Sequence, residues 1–294
     1  MDPRTAMILL GKYGDICNVL PVARALAAEH GYKIPMIVSA RFANVLHGAS
    51  YVEIDMVHYQ WPRVDLAQKY AEAKYDRVLC PQVWGKFYGA AFRPGGVPYN
   101  VAAWMACGFT VEQFRDTKAF PLIFDLRDSE REGSIVSRAR KQSSKPIVIY
   151  HLGCGASSPF PSHYVVREAI GRRWGKDCIC IDLCAIKAAR LYDMLGLYDA
   201  ASVLVTADTS ALHLAAASKV PVVAYINDND WRGSEPRCNV MLKMRYAECL
   251  KRVKELHRAI SEAIHTSRTV VSNLEIAQPP VVGAEPSGLA SLSS

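Results

Sequence analysis

One stretch restricts the fold of this chain more than any other: Val203-Leu204-Val205-Thr206-Ala207-Asp208-Thr209-Ser210-Ala211-Leu212-His213-Leu214-Ala215-Ala216-Ala217. The run from Val203 to Val205 is short, apolar and β-branched, the pattern of a strand covered on both faces. Asp208, Thr209 and Ser210 are three successive residues of the N-cap type, and Leu212 to Ala217 continue as a helix. A buried strand that turns directly into a helix belongs to a layered α/β architecture. It also gathers unpaired backbone N–H groups at the turn, a place suited to a phosphate or pyrophosphate. An ordinary capped helix in an α/β domain has the same pattern, and the stretch by itself does not separate the two.

The rest of the chain repeats the theme. Strands are expected at Ala6–Leu10, Ile34–Ser39, Tyr51–Ile54 and Asp76–Cys80, with helices from about Cys17 to His30, Arg41 to His47 and Val64 to Ala73. Pro21 is placed in the first turn of its helix, where proline is tolerated, and Gly31 ends that helix. Pro81–Pro98 is aromatic and rich in Gly and Pro, a long loop at the open end of a sheet, followed by a helix near Val101–Cys107. Asp125–Gln142 is charged and helix-prone, and the polar joint Gln142–Pro146 marks a domain boundary. A second alternating series follows: strands Ile147–Leu152, Cys178–Leu183, Val203–Thr206 and Val222–Ile226, with helices His163–Trp174, Ala188–Leu195 and Thr209–Ser218. Met244–His265 reads as a long basic amphipathic helix, and the final residues lack periodicity. The expected organisation is therefore residues 1–142, residues 143–265 and a flexible tail over 266–294. Two α/β halves in tandem place ligands at the carboxyl ends of their strands, in the cleft between the halves.

Composition narrows the class. The 294 residues are 50% hydrophobic, enough for one large or two medium cores, and no apolar run reaches the length of a membrane span. There is no basic-then-apolar leader at the N-terminus, so a soluble cytoplasmic protein is expected. The nine cysteines are odd in number and mostly embedded in apolar segments, as reduced, packed thiols are. Cys178, Cys180 and Cys184 match no common zinc spacing. The net charge of +7 suits an acidic partner such as a nucleotide, an anionic lipid or nucleic acid, without choosing among them.

Three loops at strand ends carry candidate chemistry. In Gly11-Lys12-Tyr13-Gly14-Asp15, the glycines admit close backbone approach, and Asp15 is either a helix cap or a general base for an acceptor hydroxyl. The spacing matches neither the dinucleotide nor the phosphate-loop glycine motif. Gly153-Cys154-Gly155-Ala156-Ser157-Ser158 offers small residues and two hydroxyls, as a diphosphate pocket or a plain inter-element turn would. Asp208-Thr209-Ser210-Ala211-Leu212-His213 is the third, with His213 structural or functional. Asp228-Asn229-Asp230 has the look of an acidic metal motif but sits where a turn is expected. No hydrolase triad or zinc set is present in the pattern.

Taken in order, these loops resemble the heptosyltransferase-type glycosyltransferases of family nine. The first motif runs Gly14-Asp15-Ile16-Cys17-Asn18-Val19-Leu20-Pro21-Val22-Ala23-Arg24-Ala25-Leu26; the second is Asp208-Thr209-Ser210-Ala211-Leu212-His213-Leu214-Ala215-Ala216-Ala217-Ser218-Lys219-Val220-Pro221. The likeness spans roughly residues 6–240. It implies two Rossmann-like domains facing across a cleft, the GT-B arrangement, with a nucleotide sugar held by the C-terminal half. It implies Asp15 as catalytic base and the Asp208–Leu212 turn as the donor diphosphate and sugar site; beside these, Gly153, Gly155, Ser157, Ser158 and His213 are expected on the donor side and Lys12, Tyr13, Gly14 and the loop aromatic Trp84 on the acceptor side. The implied reaction is direct displacement with inversion, with no metal or other cofactor. Two departures stand out: Ser210 replaces the usual glycine, and Pro159-Phe160-Pro161 lacks the lysine that precedes a Trp-Pro pair in the family. Lys12, Lys187 and Arg232 are the candidate substitutes.

The family default for the acceptor is a lipopolysaccharide-core or related glycan at the inner face of a membrane, where the basic C-terminal segment would meet anionic lipid. The same charge and the exposed aromatics also suit an enzyme that glycosylates modified DNA bases. A non-catalytic nucleotide-sugar-binding protein is the reading of a different class.

Overall fold

The computed structural model describes residues 4–60, 63–82, 97–153, 159–228 and 233–276. The first half holds β1 (Thr5–Leu9), α1 (Tyr13–His30), β2 (Ile34–Ser39), β3 (Val52–Val57), α2 (Val64–Glu72), β4 (Arg77–Leu79), α3 (Tyr99–Met105) and α4 (Val111–Arg115). Next come α5 (Ser129–Arg140), β5 (Ile147–His151), α6 (His163–Trp174), β6 (Ile179–Asp182), α7 (Leu195–Ala200) and β7 (Val203–Ala207). The chain then forms α8 (Ser210–Leu214), β8 (Val222–Ile226), β9 (Val240–Arg245) and α9 (Val253–Ile276).

The strands form two wholly parallel sheets, in the orders β3-β2-β1-β4 and β6-β5-β7-β8-β9. Both orders reverse direction beside the first strand of their half. The reversal leaves a crevice between β1 and β4 in one sheet and between β5 and β7 in the other, where ligands of such sheets bind.

The period of two along each central strand explains how the core divides. Met7 and Leu9 of β1, like Ile147 and Ile149 of β5, turn to one large cluster; Ala6 and Ile8, like Val148 and Tyr150, turn to the outer faces under α2 and under α6 with α9. The large cluster is common to both halves: Leu20, Trp104 and Phe124 share it with Tyr192, Leu204 and Leu214. At its seam the Phe124 and Tyr192 rings stack 5.3 Å apart. A Cβ on Gly48 would come within 2.6 Å of Phe124 and 2.9 Å of Tyr192, so only glycine fits there.

A second seam is polar. Asn100 of α3 exchanges hydrogen bonds with the backbone of Glu235, its Nδ2 donating to the carbonyl at 2.8 Å and its Oδ1 accepting from the N–H at 3.1 Å. Arg115 of α4 grips the Glu235 carboxylate with two N–H groups, at 2.6 and 3.1 Å. Arg237 lies 4.3 Å over the Trp104 ring and donates to the carbonyls of Phe114 (2.7 Å) and Phe120 (2.5 Å). Burial pushes its guanidinium down to about 10.

Several expectations need correcting. The helix expected from Cys17 starts at Tyr13, so Tyr13, Gly14 and Asp15 form its first turn and are not a loop. Pro21 consequently sits in the helix interior, where it removes a backbone donor from the ladder. The helix expected over Ala188–Leu195 is a 3₁₀ turn at Leu191–Met194 followed by α7. Met244 and Arg245 close the edge strand β9, which pairs with β8; the helix begins at Val253 and continues past His265 to Ile276. α5 lies on the N-terminal side of the expected boundary at 142, yet it packs against α7. Arg127, just ahead of it, binds Glu132 at 2.5 Å and Asp199 at 2.8 Å. Among the described residues no helix is long and apolar enough to cross a membrane.

Candidate active site

The site is assembled where β1, β5 and β7 end. β7 delivers Ala207, and the next residue, Asp208, is 8% exposed with its carboxylate turned inward. Oδ1 accepts from the Ser234 hydroxyl at 2.5 Å and Oδ2 from the Ser234 N–H at 2.8 Å. Burial pushes its pKa up to about 6 against these bonds and one from the Asn227 N–H; the nearby charge of Asp15 adds to the rise. Thr209 is the N-cap of α8, its Oγ1 accepting from the Ala211 N–H at 3.3 Å. The N–H groups of Leu212 and His213 point to the Thr209 carbonyl, at 3.0 and 3.5 Å. Among the described residues the N–H groups of Thr209 and Ser210 are left without hydrogen-bond partners.

α8 is a five-residue helix that tightens at once into a 3₁₀ turn over Ala215–Ala217. Its aligned dipole is correspondingly small. Individual N–H groups, more than a macrodipole, are what the turn offers an anion.

His213 faces α1. It is 9% exposed, and burial pushes its pKa down to about 4, so the ring is neutral at pH 7. Its Nε2 lies 3.0 Å from the Tyr99 hydroxyl and 3.4 Å from Ser234 Oγ, and these two oxygens are 3.2 Å apart. Asp208, Ser234, Tyr99 and His213 thus form one polar cluster that ties the second half to α3 of the first. Gly14 makes the approach possible: a Cβ there would meet His213 Cδ2 at 2.9 Å and the Ser210 Cα at 3.4 Å.

Asp15, on the first turn of α1, has both roles open to it from sequence. Its Oδ2 accepts from the Lys12 N–H at 2.8 Å, which is a helix-capping contact, and its carboxylate also lines the cleft. Burial raises its pKa, opposed by the Lys12 N–H and the Lys12 charge. Gly11 leaves room for it, since a Cβ at that position would sit 2.4 Å from Asp15 Oδ2.

These residues enclose a cleft of about 210 Å³ whose walls include Lys12, Tyr13, Gly14, Asp15, Tyr99, His151, Gly153, Asp208, Thr209, Ser210 and His213. A second cavity of about 170 Å³, with more aliphatic side chains in its wall, adjoins it; it is walled by Leu183, Ile186, Leu191, Met194 and Ala211 and shares Tyr13, His151 and Ser210 with the first. Most candidates named from sequence therefore meet in one place. Leu212 does not: it is 1% exposed within the large core and lines neither cavity. Trp84, Gly155, Ser157 and Ser158 lie outside the described residues, as does Arg232. Lys187 borders a different groove, beside α5. Asp228 accepts from the Ala247 N–H at 3.1 Å, while Asn229 and Asp230 lie outside the described residues. No group of three or more potential metal ligands occurs among the described residues. His151, Tyr99 and Ser234 are site residues that no motif marked.

No protein-family model and no curated protein matches the sequence. Solved structures do match the fold. A family-nine glycosyl transferase from Veillonella parvula superimposes with a TM-score of 0.58 at 10% identity, over 92% of this chain and 98% of that one. The ADP-heptose lipopolysaccharide heptosyltransferase II of E. coli gives a TM-score of 0.58 at 15% identity, over 90% and 99%. The E. coli heptosyltransferase WaaC with ADP-2-deoxy-2-fluoro heptose gives 0.50 at 16% identity, over 87% and 99%. The chain is similar in architecture to GT-B glycosyltransferases, two parallel sheets of Rossmann-like order. Within that class its fold is that of the family-nine heptosyltransferase structures over most of its length.

Proposed function

We propose that the chain is an inverting glycosyltransferase that moves a sugar from a nucleotide-sugar donor to a hydroxyl acceptor without a metal ion. The observation that carries this reading is a single cleft in which Asp15, supplied by the first half, faces the Asp208–Ser210 turn, supplied by the second. The shared fold supports it. In this reading the nucleoside occupies the second cavity, the diphosphate crosses to the cleft, and the sugar lies between the turn and Asp15.

Asp15 acts as general base. Burial makes it a stronger base than an ordinary carboxylate, and the Lys12 N–H fixes its orientation. The acceptor oxygen forms its bond to the anomeric carbon as the bond to the diphosphate breaks on the opposite face. The acceptor proton passes to Asp15, and the configuration inverts. The N–H groups of Thr209 and Ser210, without partners among the described residues, stabilise the departing diphosphate. The acceptor is a glycan hydroxyl, the preference that accompanies this fold.

The test is a thermal-shift panel of nucleotide sugars and nucleoside diphosphates in the presence of a chelator, followed by turnover with Asp15→Asn. Binding of a donor raises the melting temperature by mass action. Asp15→Asn is expected to keep that shift and to lose at least ~10²-fold in transfer rate, the lower range for a general base. Absence of a shift with every donor, or full turnover by the variant, would refute the proposal. Transfer to hydroxymethylated DNA and not to a glycan would relocate the acceptor.

A further inference from the structure

Resting on the nucleotide-sugar reading, we infer that His151 is a ligand of the donor diphosphate, taking the place of the lysine that the Pro159-Phe160-Pro161 stretch lacks. The residue ends β5 beside β7, at the reversal of strand order in the second sheet. It is part of the wall common to the 210 Å³ cleft and the 170 Å³ cavity. A ligand with its nucleoside in one cavity and its sugar in the other must carry its diphosphate past that wall.

The orientation of the ring is fixed from behind. Nδ1 lies 2.9 Å from Thr209 Oγ1, whose own lone pair is engaged by the Ala211 N–H. In the tautomer in which the Thr209 hydroxyl donates to Nδ1, the proton of the neutral ring sits on Nε2. Nε2 has no hydrogen-bond partner among the described residues. It is a donor in that tautomer and in the cation.

The inventory of cations favours the same residue. Among the described residues of the two walls, only Lys12, His151 and His213 can carry positive charge. Lys12 is exposed and belongs to the acceptor side with Asp15. His213 is held neutral by burial, with Nε2 committed to Tyr99. The groups that bear on His151 are Asp182 of the neighbouring strand β6, which favours its charged form, and Lys12, Asp15 and Asp208 around the shared cleft. In the empty protein burial outweighs Asp182 and keeps the ring neutral. A diphosphate beside Nε2 reverses that balance, so donor binding draws a proton from solvent.

The experiment is calorimetry with ADP-, GDP-, UDP- and dTDP-glucose in buffers of different ionisation enthalpy at pH 7. Their diphosphates are diesters and do not titrate near neutrality, so proton uptake reports the protein. Wild type is expected to take up a measurable fraction of a proton and to bind more tightly at pH 6 than at pH 8. His151→Gln should bind about tenfold more weakly, as expected for loss of a charge-assisted hydrogen bond, with no uptake and a flat pH profile. His151→Asn, which keeps a polar group near Nδ1, serves if the glutamine variant misfolds. Asp15→Asn should retain the uptake, which separates His151 from the raised carboxylates. Unchanged uptake and affinity in the His151 variants would overturn this assignment alone. Absence of binding to wild type by every probe would overturn the nucleotide-sugar reading and this inference with it.

Discussion

Replacing His213 by glutamine isolates one electrostatic consequence of the seam between the halves. Glutamine can keep hydrogen bonds to Tyr99 and Ser234 but cannot titrate. In the folded protein His213 has its pKa pushed down to about 4, whereas an unfolded histidine has about 6.5. The folded pKa is the lower one, so below pH 6.5 the unfolded chain binds more protons and stability falls with pH. The penalty begins near 6.5, grows as the pH drops and levels off below 4. With those two values it is near zero at pH 7 and about 2 kcal/mol at pH 5. Asp208 acts in the opposite sense over much of the same window. Its pKa is raised to about 6, so its buried charge weakens the fold as the pH rises from 4 toward 6 and beyond. The wild-type profile therefore partly conceals both. Subtracting the unfolding free energy of wild type from that of His213→Gln, by urea titration at pH 7, 6 and 5, removes the Asp208 contribution common to both. The difference should move in favour of the variant by about 2 kcal/mol between pH 7 and pH 5. A difference constant to within about 0.5 kcal/mol, smaller than a quarter of the linkage expected, would refute the claim that His213 is held neutral by burial.

Two further outcomes test the same seam. Gly14→Ala gains at most ~1 kcal/mol of helix propensity, less near a helix end, but its Cβ meets the buried imidazole of His213. Overpacking at ~1–3 kcal/mol wins, so a net loss of about 1 kcal/mol in urea unfolding is expected, with turnover falling more steeply than stability because Asp15 moves with α1; a variant as stable and as active as wild type would show that the α1–α8 contact is loose. Arg237→Met removes the donors to the Phe114 and Phe120 carbonyls and the contact with Trp104. It should cost about 3 kcal/mol in the same assay, and a loss under about 1 kcal/mol would mean that water replaces the guanidinium.

What the sequence made legible was local. β2, β8 and α6 fall where the apolar patterns at Ile34–Ser39, Val222–Ile226 and His163–Trp174 put them, because those runs are bounded by clear turn chemistry. The placement of Asp15 and Asp208 in one cleft followed from two motifs at strand ends. β9 was missed because Val240–Arg245 is an edge strand with mixed polarity, where period two is weak. The start of α1 was missed because Gly11 and Gly14 read as a loop, whereas each is small to admit a neighbour, Asp15 and His213. Ser234, Tyr99 and Asn100 carry no motif at all: their meaning lies in contacts across more than a hundred residues of chain, such as Asn100 with Glu235. His151 stood in plain view at the end of its strand, but only the structure shows that it lies at the crevice between β5 and β7 and in the walls of both cavities.

The stacking of Phe124 on Tyr192 over Gly48 bears on how such a chain could be rebuilt. A fold of two tandem α/β halves invites the exchange of whole halves. Here a transplanted half would arrive with a ring seeking a neighbour at Phe124, a gap demanding glycine at position 48, and a Glu235–Arg237 segment seeking Asn100, Arg115 and Trp104. A chimera joined at residue 142 would part α5 from α7 and Arg127 from Asp199, and mismatch all of these as well. Recombination of this scaffold succeeds only where Gly48, the residues from Tyr99 to Phe124, Tyr192 and the segment from Ser234 to Arg237 travel together as a single inherited block.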